Sequence, residues 1–172
     1  MRYSKVQIRD VLERLYGKYN HRTLIKPDPL QFVYRYSDPA DMEIAGFLSA
    51  GLAYGRVEQI EKSLKELFGR MGESPYAFVR GFGKVERKKL QGFKHRFTTG
   101  QDIADLLEIL QNVLTGFGSI EIFFTQGYTS SDKNIIAALS RFCDSLLDMH
   151  AKTHDGSVQR GLRYLLARPA AG

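Results

Sequence analysis

Asp41-Met42-Glu43-Ile44-Ala45-Gly46-Phe47-Leu48-Ser49-Ala50-Gly51-Leu52-Ala53-Tyr54-Gly55-Arg56 is the stretch on which the reading of this chain turns. Asp38-Pro39 just before it supplies an N-cap and a first-turn proline, and Asp41 and Glu43 put negative charge where a helix dipole favours it. The segment therefore predicts a helix, and an unusually small-sided one. Glycine inside a helix costs about 1 kcal/mol relative to alanine, so Gly46 and Gly51 imply a close approach by another helix or by a ligand. Gly46 lies between Met42 and Ala50 on one face, which predicts helix packing in a core. Tyr54-Gly55-Arg56 closes the segment with a ring, a helix-stopping glycine and a guanidinium, a set suited to a planar anionic ligand.

Helical signals continue on both sides. Ile8, Val11, Leu12, Leu15 and Tyr19 recur at helical spacing behind Ser4, predicting an amphipathic helix over residues 4–19. Asp28-Pro29 starts a short helix through Phe32, Val33 and Tyr36. Ile60, Leu64, Leu67, Phe68 and Met71 form one face of a helix over residues 57–71, and Ser74-Pro75 opens another. Further helices are expected over residues 101–115, 119–125, 132–150 and 157–167, with the basic segment between 80 and 96 a loop interrupted by a helical turn. No alternating strand pattern is present. The expected architecture is all-α, a single multi-helix domain over residues 1–172.

The net charge of +6 is unevenly distributed. Residues 80–96 carry seven basic side chains (Arg80, Lys84, Arg87, Lys88, Lys89, Lys94, Arg96) against the single acid Glu86, whereas residues 97–149 carry two basic against seven acidic groups. Phe82, Phe93 and Phe97 interleave the basic run, the composition of a surface that meets phosphates. Arg56, Arg80, Lys84, Lys88, Lys89, Lys94 and Arg96 are accordingly the candidate nucleic-acid contacts; Arg35, Tyr54, Arg56 and His95 are the candidate ligand pocket. The longest nearly charge-free run, residues 44–54, is far short of the roughly 20 residues that span a bilayer, and Met1-Arg2-Tyr3-Ser4 opens no signal peptide. A soluble cytoplasmic protein with no membrane partner is the expectation. The lone Cys143, beside Leu139, Phe142, Leu146 and Leu147, reads as a buried hydrophobe.

Other motifs argue against familiar chemistries. Gly81-Phe82-Gly83-Lys84 and Gly116-Phe117-Gly118-Ser119 complete neither a phosphate-binding loop nor a dinucleotide fingerprint, so no cofactor is expected. The second has the outline of a helix-hairpin-helix turn, but Glu121 and its acidic surroundings favour a structural connection. His150 and His154 stand one helical turn apart, a metal-compatible spacing. With Asp148 or Asp155 as the only nearby recruits, the sequence predicts an exposed helix end and no metal.

Asp28-Pro29-Leu30-Gln31-Phe32-Val33-Tyr34-Arg35-Tyr36, Asp41 to Gly46, Ala53-Tyr54-Gly55-Arg56-Val57 and His95-Arg96-Phe97 together resemble the signature of an uncharacterised bacterial family of helical proteins, over nearly the whole chain. Residues 44–64, with Leu48-Ser49-Ala50 leading into a second amphipathic helix, are similar to the opening of the helix-hairpin-helix DNA glycosylase fold. In those enzymes a glutamine follows the Leu-Ser-Ala triplet; Gly51 stands here. The family resemblance also implies a longer chain, with a C-terminal segment beyond Ala167-Arg168-Pro169.

What the resemblance implies is a nucleic-acid-binding protein related to base-excision glycosylases, catalytically incomplete in this form and with catalytic residues unassigned. The competing expectation is a non-enzymatic helical interaction module with a basic surface and an unknown protein partner. A small-molecule phosphate enzyme centred on Arg35, Arg56, His95 and Arg96 is a third.

Overall fold

A computed structural model of the chain describes residues 4–169. In order, the elements are α1 (Lys5–Tyr19), two 3-10 segments (Arg22–Leu24 and Pro29–Arg35), α2 (Pro39–Gly51), α3 (Val57–Met71), α4 (Pro75–Arg80), α5 (Lys84–Lys89), β1 (Lys94–His95), β2 (Thr98–Thr99), α6 (Gly100–Phe117), α7 (Ile120–Gln126), α8 (Ile136–Thr153) and α9 (Arg160–Leu165). The fold is all-α apart from a minimal antiparallel hairpin pairing Lys94 with Thr99 and His95 with Thr98. No single helix among the described residues is long and apolar enough to cross a membrane.

Caps mark most of the starts. Ser4 and Gln7 form a capping box on α1, Thr99 and Asp102 another on α6, and Asp38, Ser74 and Ser119 cap α2, α4 and α7. The centre of the core is α6, where eleven of eighteen residues are buried; α3 covers it with Ile60, Leu64, Leu67, Phe68 and Met71. The two acids near the start of α2 tie other helices to it. Asp41 accepts hydrogen bonds from Ser74 Oγ (2.7 Å) and the Tyr76 N–H (2.9 Å), and Glu43 accepts one from the Glu121 N–H (2.8 Å). The anion at the start of α7 is thus the protein's own carboxylate, and the Gly116–Ser119 turn is a connection between helices bent by 77°.

Five expectations change. The Asp28-Pro29 helix is 3-10, and the basic segment contains a hairpin that two-residue strands leave without a periodic signal. The glycines of α2 do not mark a tight approach: a methyl group at Gly46 would meet only Val33 Cγ2 at 3.7 Å, and one at Gly51 only Leu165 Cδ2 at 3.9 Å. The amphipathic α1 forms as expected but buries no residue; Val6, Ile8, Leu12, Leu15 and Tyr19 stay exposed. Finally, His150 is buried at 3% exposure, not displayed on an exposed helix end, because α8 packs its last turns against α6.

Candidate nucleic-acid interface

Two of the motifs picked out in the sequence lock together. Tyr54 donates from its hydroxyl to the His95 carbonyl (3.1 Å) and shares a 2.6 Å hydrogen bond with Thr98 Oγ1. His95 is wholly buried, with Nδ1 at 2.9 Å from Ser63 Oγ and Nε2 at 3.0 Å from the Tyr54 carbonyl oxygen. Both ring nitrogens are therefore engaged inside the protein. Burial pushes the His95 imidazole below its ordinary pKa, against the hydrogen bond to Tyr54; the neighbouring Arg96 charge adds to the depression. Burial likewise raises the Tyr54 phenol, with Thr98 opposing, so both groups are held neutral.

Backbone geometry makes this interlock fit. Arg96 has φ 54° and Gly55 has φ 105°, both left-handed values. Arg96 lays its guanidinium across Gly55, with Nη1 2.9 Å from where a Cβ would stand. The turn at Arg96 sends His95 into the core and Phe97 out to solvent, so the hairpin is anchored by one ring and presents the next.

Phe97 meets two tyrosines. Its ring stacks on Tyr54 at 5.2 Å and meets Tyr164 of α9 edge to face at 4.4 Å; Tyr54 and Tyr164 are 5.0 Å apart. Beside them opens a cavity of about 610 Å³ lined by Phe97, Arg160, Gly161, Arg163, Tyr164 and Ala167. Gly161 is required there, because a Cβ would lie 2.3 Å from the Asp102 carboxylate. Asp102 is itself held by the N–H and hydroxyl of Thr99 at 2.8 and 2.7 Å. Arg160, Arg163 and Tyr164, at i, i+3 and i+4, are cavity-lining side chains that sequence reasoning missed; their shared helical face was the available signal.

On the other side of the hairpin, Lys94 lines a second cleft of about 480 Å³ with Arg87, Gln91 and Gln101. The remaining basic residues are spread out. Arg87 is spent on Asp105 (2.9 Å) and Glu108, Lys89 lies over the Phe78 ring at 5.5 Å, and Arg80 is 3.5 Å from Thr115 Oγ1. Lys84, Lys88 and Arg56 are exposed, Arg56 at the N-cap of α3. Arg35 lies over the Phe32 ring at 4.2 Å and beside Glu61, with no contact to the Tyr54–His95 cluster among the described residues. Of the candidate pocket, then, the structure joins Tyr54 and His95, adds Arg96, Phe97 and Tyr164, and leaves Arg35 elsewhere.

Residues 28–171 match the family described as Protein of unknown function (DUF2400). The chain belongs to that family. The match covers the motifs of the 3-10 segment, α2 and the hairpin, and so includes the whole Tyr54–His95–Phe97 interlock and the cavity beside it. No curated protein and no solved structure matches the chain.

Proposed function

We propose that this chain binds nucleic acid by receiving an unstacked base in the cavity beside Phe97 and Tyr164. The observation that carries the reading is that cavity: about 610 Å³, with two aromatic rings in its wall and Arg160 and Arg163 beside them. Base–aromatic stacking contributes about 1–3 kcal/mol per base and tolerates any sequence, while guanidinium groups hold the phosphates on either side. Arg96, across Gly55, extends the same positive rim, and Lys94 continues it beyond the hairpin.

In this reading the chain supplies the base-receiving part of a base-excision activity of the DNA glycosylase type. Breaking a glycosidic bond needs an activated amine or water beside the base. No lysine or carboxylate lines the cavity, and Asp102, behind Gly161, is committed to Thr99. Binding without base release is the expected behaviour of a cavity with this lining.

Fluorescence anisotropy with labelled single-stranded and duplex DNA, titrated across salt, tests this. Phe97→Ala and Tyr164→Ala are each expected to weaken single-strand binding by about 5- to 150-fold, the equivalent of about 1–3 kcal/mol. Arg163→Ala is expected to flatten the salt slope by about 0.7 on single strands. Absence of binding at low salt, or equal binding by all the variants, overturns the reading. Base release from uracil- or oxidised-guanine-containing duplexes by the unaltered chain would overturn its catalytic incompleteness.

One observation favours a second reading, that of a protein-interaction module. The apolar face of α1 is uncovered, with Val6 68% and Leu12 59% exposed. On that reading, Val6→Ser with Leu12→Ser leaves nucleic-acid affinity unchanged and removes capture of a protein partner.

A further inference from the structure

The last two turns of α8 bring two histidines against two carboxylates of α6. Asp105 and Glu108 lie at i and i+3 on α6, and His150 and His154 at i and i+4 on α8. One oxygen of each carboxylate and one ring nitrogen of His154 all lie within 4.8 Å of one another. The His150 ring stacks on that of His154 at 4.0 Å, with an interplanar angle of 17°.

From this arrangement we propose that Asp105, Glu108 and His154, with His150 beside them, form a binding site for a divalent first-row transition ion of the zinc class. Mixed imidazole and carboxylate donors suit such ions and distinguish the site from the all-oxygen cages of calcium or magnesium. Donors around a tetrahedral zinc stand about 3.4 Å apart, given bonds of about 2.0–2.1 Å. On binding, the three groups would close from within 4.8 Å of one another to that spacing.

Three details support a ligand set over a chance cluster. The first is the orientation of His154. Thr153 Oγ1 donates to the His150 carbonyl at 3.0 Å, so its proton is spent; His154 Nδ1, at 2.9 Å from that hydroxyl and 3.1 Å from the same carbonyl, is therefore the donor. Its Nε2 is left with the lone pair, the outer-shell arrangement that fixes metal-binding imidazoles. The second is His150, only 3% exposed, whose ring nitrogens make no hydrogen bond among the described residues although the ring faces His154 and lies near Asp105 and Glu108. Neither of its nitrogens is sealed off as a buried unpartnered atom, so one is open to an incoming ion. The third is Arg87, which bonds Asp105 Oδ1 at 2.9 Å and Glu108 Oε2, while Gln101 Nε2 donates to the same Asp105 oxygen at 2.7 Å. Each carboxylate thus keeps one oxygen, Asp105 Oδ2 and Glu108 Oε1, without a hydrogen bond among the described residues. Arg87 and Gln101 would orient the carboxylates and an ion would take the other sides.

A bound ion would cross-link the middle of the core helix to the end of α8, just before the chain turns through Gly156 into α9 and its Arg160–Tyr164 face. The test uses the chain dialysed against chelator and then titrated with zinc chloride, and separately with cobalt chloride, whose visible absorption reports nitrogen and oxygen coordination. One ion per chain is expected, with a rise in the thermal midpoint that chelator reverses. The principal variant is His154→Ala, because His154 is only half-buried and its loss leaves the Arg87 ion pairs intact; Glu108→Gln is the second. Each is expected to weaken zinc binding at least about tenfold and to abolish the cobalt spectrum, with circular dichroism unchanged. Lys65→Ala, an exposed change on α3 that touches none of these groups, is expected to retain binding. No saturable binding in the unaltered chain, or binding and spectrum unchanged in both His154→Ala and Glu108→Gln, overturns the site.

Discussion

Gly46 and Gly51 on α2 stand where a methyl group fits, and Gly100 at the start of α6 and Gly161 on α9 stand where none does. A Cβ at Gly46 would touch Val33 at an ordinary 3.7 Å, whereas one at Gly100 would lie 2.0 Å from the Leu90 carbonyl oxygen. The small-sided helix is thus an ordinary piece of packing. The real close approaches are single glycines at element junctions, where backbone meets backbone or a fixed carboxylate. Composition within a helix reports propensity; a required glycine reports a tertiary contact that composition cannot see.

Substituting the junction glycines is the harshest way to break this contrast. Gly100→Ala drives a methyl into a carbonyl on the chain that leads to the hairpin, and Gly100 N–H is itself bonded to the Phe93 carbonyl at 2.8 Å, so the two segments cannot simply part. A loss of about 3 kcal/mol or more is expected in urea denaturation. Gly161→Ala comes next, at about 1–3 kcal/mol, because the Asp102 carboxylate it would strike is pinned by Thr99. A chain that tolerates either change as easily as it tolerates alanine on α2 would remove the distinction between the two regions.

The hairpin carried by these junctions adds a pH dependence. Its buried His95 has a folded pKa below the ordinary 6.5, so the unfolded chain takes up a proton at a pH where the folded one refuses it. The stability tied to neutral His95 is therefore complete above 6.5 and is lost as pH falls through that value toward the folded pKa. His150, likewise depressed by burial, contributes with the same sign. The urea midpoint is expected to fall between about pH 7.5 and about pH 5.5, with a shallower slope in His95→Gln. An identical slope in the variant would mean that His95 does not titrate with unfolding.

How much of this was legible before folding varies with the kind of signal. Period alone read α3 to its end residues, because Ile60, Leu64, Leu67, Phe68 and Met71 all answer to one core. Tyr54-Gly55-Arg56 and His95-Arg96-Phe97 were recognisable as special, but their interlock spans some forty positions of sequence and no local pattern announces it. The hairpin was invisible because two residues per strand have no period. The basic run read as one surface because charge was counted along the chain; in space Arg87 answers to acids on α6, and Arg160 and Arg163 from the far end of the sequence take the place beside Phe97. Asp105 and Glu108, more than forty residues before His154, were equally beyond a search for neighbouring ligands.

The smallest expected effect has the opposite sign to the largest. Gly46 sits inside α2, where glycine costs about 1 kcal/mol relative to alanine through backbone freedom retained in the unfolded chain. If its only neighbour is Val33 at van der Waals distance, as the structure has it, Gly46→Ala removes that cost without a clash. The variant is expected to gain about 0.5–1 kcal/mol, seen as a rise of about 1–4 °C in the thermal midpoint. Nucleic-acid affinity should stay the same, since neither Gly46 nor Val33 lines the Phe97–Tyr164 cavity. A destabilised Gly46→Ala would return the close approach to α2 and make its glycines equivalent to Gly100 and Gly161. A stable variant with weakened nucleic-acid binding would instead place a ligand against that helix, where the small residues first suggested one.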